Sequence, residues 1–255
     1  MKHLARSILA LELSRWRRLG QQPVLWWRDD DALQPTAALD RLLDLAGDLP
    51  LSLAIVPGGD LEGLARRLAQ ARNLTVSQHG IDHCNRRPPG AAPNEYPEGT
   101  TVAVVAQQIG AARLKMEKAG LTPRFYAPPW NQIDEILSDA LCLAGFSSLS
   151  AAQDSRRVDN VTRIDSHLDI LRWKPRSRFR GQTRVTLSLA RLLRRRRRAG
   201  NYAAPIGLLT HHLAHDEPAW SFLAWFLGFA HSRFAWRSFE ELAAAARSRQ
   251  VVLGT

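Results

Sequence analysis

Short apolar runs alternate with helix-period segments from about residue 23 onward, and this alternation limits the possible folds more than any other feature. Pro23-Val24-Leu25-Trp26-Trp27, Leu51 to Val56, Leu74 to Ser77, Phe125 to Ala127 and Ala204 to Thr210 each read as a short buried strand, with Phe146 to Leu149 and Val158 to Ile164 as further candidates. Between them, Leu39, Leu42, Leu43 and Ala46 share one helical face before Gly47, with Pro35 in the first turn; Asp60 caps a helix through about Ala71. Val102, Val105, Ile109, Ala112 and Met116 repeat at helical spacing, and further helices are predicted over 133–144, over 185–199 and from Asp216 to Phe229. Strand followed by helix, about seven times, predicts a parallel sheet covered by helices: a β/α barrel or an open doubly wound sheet. No repeat or linker interrupts the pattern, so residues 1–255 read as a single domain.

The N-terminus, residues 1–20, has apolar residues interrupted by Glu12 and followed by Arg15, Arg17 and Arg18, which fits an amphipathic helix better than a signal peptide. No apolar run is long enough for a membrane span, so the expected location is cytoplasmic, with peripheral membrane contact open. Cys84 and Cys142 lie far apart and form no CxxC pattern, which fits a reducing compartment. The formal charge of +11 favours anionic partners in general. The run Arg194 to Arg198 exceeds one helical turn and lacks interleaved aromatics and glycines, so it reads as an exposed helix end and not as a nucleic-acid patch. No Gly-rich nucleotide-binding pattern follows any strand.

Metal-capable residues collect at the carboxyl ends of the predicted strands: Asp29 to Asp31 after the first, His79 and His83 after the third, His211 and His212 after the last. In parallel α/β folds that rim is where sites are built. Adjacent carboxylates repel unless a cation or basic neighbour compensates. Two histidines four residues apart bring both rings to one side when they lie on a helical turn. With a carboxylate from another strand end they form a two-His, one-carboxylate set, which leaves coordination positions for water and substrate.

These residues, with Tyr126 to Asn131 and Leu208 to His211, resemble the motifs of the polysaccharide deacetylase family with the NodB-like fold. The order and spacing agree over about residues 23 to 216. The resemblance implies a distorted β/α barrel of about seven strands and metal-dependent removal of an acetyl group, from nitrogen or oxygen, on a carbohydrate. Carried over, Asp31, His79 and His83 bind the metal and Asp30 is the general base, although the pair Asp29-Asp30 remains an alternative register. His211 or His212 is the acid, since the last motif fits both. Pro129, Trp130, Tyr126 and Trp173 are expected at the substrate, with Arg28 and Asp29 behind the metal and base. The ligand set suits zinc first, and also nickel, cobalt or iron(II).

The chain departs from the family pattern in three places. The family's third motif often carries an arginine that steers the catalytic aspartate; Ala127 stands there, leaving Arg28 or Arg124 to substitute. That motif's glycine is Asn131, and the acid and tryptophan that orient the catalytic histidine are loosely matched by Asp169 and Trp173. A hydrolase of a non-sugar amide, and an inactive glycan-binding relative, are the competing readings. The sequence does not fix the oligomeric state.

Overall fold

The computed structural model describes residues 1–253. The chain opens with α1 (Lys2–Arg18) and enters β1 (Val24–Ala32), α2 (Ala37–Ala46), β2 (Leu51–Ile55), α3 (Leu61–Leu68), β3 (Leu74–His79) and α4 (Val102–Lys118). The middle of the chain carries β4 (Tyr126–Ala127), α5 (Leu137–Leu143), β5 (Ser148–Leu149), β6 (Thr162–Arg163), β7 (Leu168–Asp169) and the hairpin strands β8 (Leu171–Arg172) and β9 (Arg178–Phe179). It finishes with α6 (Gln182–Arg198), β10 (Ile206–Thr210), α7 (Glu217–Ala230), β11 (Ala235–Trp236) and α8 (Phe239–Leu253).

The sheet order is β6-β5-β4-β3-β2-β1-β10-β7, parallel throughout, and β11 runs beside the start of β1. This curled, open half-barrel with helices outside is the distorted β/α barrel expected, with eight strands along its path. β7 and β11 escape sequence reading because two residues carry no period. Every residue of β2 and of β10 is buried, as a parallel sheet covered on both faces requires. Gly207 in β10 has no alternative: a Cβ there would meet the Asp165 carbonyl oxygen at 2.5 Å and the Trp26 indole nitrogen at 2.6 Å.

Caps set the helix starts. Thr36 accepts from the Leu39 N–H at 3.1 Å, Asp60 from Gly63 at 2.9 Å and Asp216 from Ala219 at 2.8 Å. Pro35 therefore precedes the cap and is not in the first turn. α3 and α5 are shorter than their periodicity suggests, and α8 forms where no helix was expected.

α1 packs along α6 through Leu9, Leu13 and Trp16, and the Trp16 indole donates to the Leu193 carbonyl at 3.3 Å. Glu12, which breaks the apolar stretch, is buried and pairs with Arg197 at 2.6 Å and Arg15 at 3.2 Å. The arginine run is therefore not simply an exposed helix end. Arg197 clamps α1, and Arg196 donates to the Pro205 carbonyl at 3.1 Å and meets His167 at 2.9 Å; Arg195 reaches Gln153 at 3.4 Å. Among the described residues no helix is long and apolar enough to cross a membrane.

Candidate functional site

β1 does not stop at Trp27; it continues through Arg28 and all three aspartates to Ala32. Successive residues of a strand face opposite sides, so the three carboxylates that would repel as a cluster are sent to different partners. Asp29 is fully buried. It accepts from the Thr210 hydroxyl at 2.5 Å, from His212 Nδ1 at 2.5 Å and from the His212 backbone N–H at 3.1 Å. Burial opposes its charge, but His212 and Thr210 outweigh that and hold the carboxyl below its usual range. His212 is shifted upward for the complementary reason: burial disfavours its charge, and Asp29 more than restores it.

Asp30 faces the rim. One oxygen accepts from a terminal Arg28 nitrogen at 2.9 Å, the other lies 2.8 Å from Arg28 Nε as an ion pair, and His211 Nε2 lies 3.8 Å away. Arg28 is itself buried and donates to the Ser150 carbonyl and hydroxyl, both at 2.7 Å, and to Asn131 Oδ1 at 2.7 Å. Arg28 thus approaches Asp30 from its own strand, while Ala127 offers no polar side chain there. Arg124 does not: it is exposed and faces Glu240 at 3.7 Å. The Asn131 side chain ties the third motif to that guanidinium.

Asp31 adopts φ 71°, in the left-handed region that non-glycine residues rarely occupy. This turns its carboxylate toward the histidines. Asp31 Oδ1 lies 3.1 Å from His79 Nε2 and 3.3 Å from His83 Nε2, and the donor atoms of the three residues fall within 4.8 Å of one another. His79 Nδ1 faces the Ala127 carbonyl at 3.0 Å, which places the proton on Nδ1 and leaves the Nε2 lone pair aimed at a carboxylate oxygen. Asp31 Oδ1 is buried and has no hydrogen-bond partner. Acceptors that converge in this way could hold a cation at their centre. Burial and the neighbouring His79 lower the His83 pKa, which favours the neutral imidazole that a metal requires. His79 itself is biased upward despite burial, by Asp30 and Asp31, so these carboxylates already favour positive charge at this spot.

The histidine spacing works through a turn and not a helix, contrary to the helical geometry that motivated it. His79 ends β3, and the following loop folds over the buried Glu95 carboxylate, which accepts from the backbone N–H groups of Ile81 and Asp82 at 2.9 Å and of His83 at 2.5 Å. Gly80 makes room: a Cβ there would lie 2.2 Å from a Glu95 oxygen, and its φ is +68°. The ring centroids of His79 and His83 end 5.1 Å apart. Glu95 was not singled out from the sequence. Its only signal was an acidic residue inside a proline-rich loop.

Trp130, at φ 55°, stands over His83 with ring centroids 4.6 Å apart, and Pro129 beneath it is buried. Trp173 stacks edge-on against His211 at 4.5 Å and donates its indole N–H to Asp169 at 2.9 Å. The loosely matched acid and tryptophan therefore do meet at the histidine. Tyr126 does not reach the surface: it is 1% exposed and packs on Phe146 at 5.8 Å, so it is a core residue and not a platform for a sugar. His212, with its side chain enclosed against Asp29, faces away from Asp30 and leaves His211 alone at the rim. Cys84 is exposed and lies outside the donor cluster.

No family model and no curated protein matches the sequence. Solved structures do match. A T48 deacetylase determined with substrate superposes with TM-score 0.55 at 15% identity, over 89% of this chain and 94% of that one. The chain has the fold of the polysaccharide deacetylases. A family 4 carbohydrate esterase from Streptomyces lividans gives TM-score 0.50 at 15% identity over 82% and 88% of the two chains, and the peptidoglycan deacetylase PdaC of Bacillus subtilis 0.50 at 16% over 90% and 94%. The deacetylase fold places the carboxyl ends of β1, β3 and β10 at one rim, where the groups described above meet.

Proposed function

We propose that the protein is a metal-dependent hydrolase that removes an acetyl group from the nitrogen or oxygen of a carbohydrate. Asp31, His79 and His83 hold the divalent ion, Asp30 is the general base and His211 the general acid. The observation that carries this reading is the convergence of three acceptor atoms, one an orphaned buried carboxylate oxygen, beside a second carboxylate locked by a buried arginine. The likeness in fold to deacetylases and a carbohydrate esterase supports it.

When bound, such an ion acidifies water and polarises the acyl carbonyl. Arg28 holds both oxygens of Asp30 in place, so this carboxylate accepts the proton of the attacking water in a fixed direction. His211, braced by Trp173, protonates the departing amine or alkoxide. Trp130 and the exposed Trp173 flank the opening and offer faces for a sugar ring. The donor set suits zinc first, with nickel, cobalt and iron(II) also compatible. The presence of Arg28 at Asp30 argues against an inactive relative, because the group whose loss would signal a dead site is supplied from β1.

Acetate release from acetylated glycans and from a chromogenic acetate ester, before and after chelation and metal restoration, tests the reading. Activity is expected to vanish with the metal and return with it. Unchanged metal content and turnover in Asp31→Ala and His79→Ala would falsify it. Turnover on non-sugar N-acyl compounds but on no glycan would move the protein to a different substrate class on the same centre.

A further inference from the structure

Beside the carboxylate–histidine centre the rim opens into a cavity of about 490 Å³ between β7 and α6. Its lining includes Asn131, which accepts from Arg28, and Asp169, which accepts from Trp173, together with Arg180, Arg191 and Arg195. A second cavity of about 710 Å³ continues along α6 and shares Arg180 and Arg191. Its lining adds Lys2, Arg172, Arg178 and Arg184 and contains no acidic side chain. Cavities of this size accommodate small-molecule ligands.

These guanidinium groups differ from the protein's other arginines. Arg28, Arg41, Arg86, Arg87, Arg113 and Arg197 all sit against carboxylates within 3.0 Å. Among the described residues, Arg172, Arg178, Arg180, Arg184, Arg191 and Arg195 form no ion pair. The first cavity holds two acids. Asp154 is exposed, and Asp169 already accepts from Trp173 at 2.9 Å and from the Leu171 N–H at 2.8 Å. Like charges gathered on one exposed face create a field that attracts anions, and guanidinium forks match the oxygens of a phosphate bidentately. Nucleic acid fits poorly, since the second cavity offers Phe179 as its only aromatic surface for stacking bases.

We propose that the saccharide substrate carries a phosphate group, bound by Arg180 and Arg191 where the two cavities meet, while its acyl group lies at the Asp31–His79–His83 centre. This rests on the hydrolase reading above and narrows its substrate class to acylated sugar phosphates. The second cavity then receives whatever the phosphate esterifies. A neutral polysaccharide would leave these guanidinium groups without a counter-charge beside the site.

Calorimetric titration separates this proposal from the hydrolase reading, because it measures binding and not turnover. The probes are N-acetylglucosamine 1-phosphate, the neutral methyl glycoside of N-acetylglucosamine, and an N-acetylated hexosaminuronate, all in an Asp30→Asn background. The phosphorylated sugar is expected to bind at least about tenfold more tightly than either of the others. Combined Arg180→Ala and Arg191→Ala changes are expected to reduce that preference to about threefold or less, whereas Arg198→Ala, on the same helix but lining neither cavity, preserves it. Both arginines are exposed, so a thermal melt verifies that the variant is folded. Equal affinity for phosphorylated and neutral sugars overturns the proposal. So does an equally tight uronate, which would assign the site to carboxylates, or a preference that Arg198→Ala weakens as much as the pair does, which would reduce it to diffuse charge. None of these results touches acetate release by the wild-type protein. Conversely, a preserved binding preference without any acetate release would sink the hydrolase reading and leave the phosphate subsite standing.

Discussion

Asp29 and Asp30 are neighbours on one strand, and each faces one of two neighbouring histidines after β10, yet the two pairs are built for different ends. Asp29 and His212 are enclosed, 2.5 Å apart, and every oxygen of the carboxylate is occupied by Thr210 or His212. Asp30 and His211 stand 3.8 Å apart at the rim, with Arg28 behind the one and Trp173 beside the other. The same two residue types therefore make a clasp between β1 and the end of β10 in one place and, in the other, the open pair to which the proposed mechanism assigns proton transfer. The strand's alternation of faces separates them. Chemical identity does not reveal function here; the openness of the pair and the direction of its partners do.

The largest effect that can test this contrast is on turnover. Asp30→Asn keeps the shape and an oxygen toward Arg28 but removes the base, and kcat is expected to fall by about 10²–10⁴-fold with metal content retained. Asp29→Asn is expected to act on folding instead. Breaking a buried ion pair by changing one partner costs about 3–5 kcal/mol, read as a drop in melting temperature, with activity at low temperature retained. If Asp29→Asn abolished turnover in folded protein while Asp30→Asn merely lowered the melting temperature, the division of labour would be reversed.

The clasp also has a pH signature. Asp29 is held below the usual 3.8, so its contribution is present above that value and is lost as pH falls through the lowered pKa. His212 is held above 6.5, so its contribution is present below that value and is lost as pH rises through the raised pKa. The pair therefore stabilises the fold most between these limits. Denaturant titrations across pH should show both limbs flattened in Asp29→Asn; limbs identical to wild type would mean that the pair carries no linked stability.

A smaller effect is expected at the metal. Glu95 lies outside the Asp31–His79–His83 donor group but fixes the turn that brings His83 to His79. Glu95→Gln turns an amide nitrogen toward backbone donors, and residues in this supporting position typically change metal affinity by about 10–100-fold. Competition with a chelating dye measures it. Unchanged affinity would show that the loop is held by other contacts.

How much of this was legible from residues alone follows from the length scale of each signal. The alternation of strand and helix was readable because β1, β2, β3 and β10 are long enough to show their pattern. The short strands β7 to β9 and β11 were not, since their pairing is decided by tertiary contacts. Asp31, His79 and His83, which the fold brings together, could be named as a group because carboxylates and imidazoles at strand ends are chemically conspicuous. The choice between His211 and His212, and between the two aspartate registers, could not, because adjacent residues differ only in the face they occupy. Glu95 was hidden because a carboxylate bonded to backbone N–H groups leaves no partner pattern in sequence. Tyr126 looked like a sugar platform because an aromatic ring beside a motif reads the same whether it faces outward or, as here, Phe146.

The finest adjustment concerns His211. Trp173 touches it edge-on and donates to Asp169, but its side chain is 44% exposed, so water can replace much of what the indole N–H supplies. Trp173→Phe keeps an aromatic edge against the imidazole and loses the hydrogen bond. A bond to a charged acceptor is worth about 1.5–3 kcal/mol when buried; solvent access reduces that to about 1 kcal/mol, or roughly fivefold in kcat. Trp173→Ala removes the ring as well and is expected to cost more, because His211 then loses the surface that fixes its angle toward Asp30. If both changes raised KM and left kcat alone, Trp173 would belong to the sugar and not to the histidine, and the working pair would stand without a brace on that side.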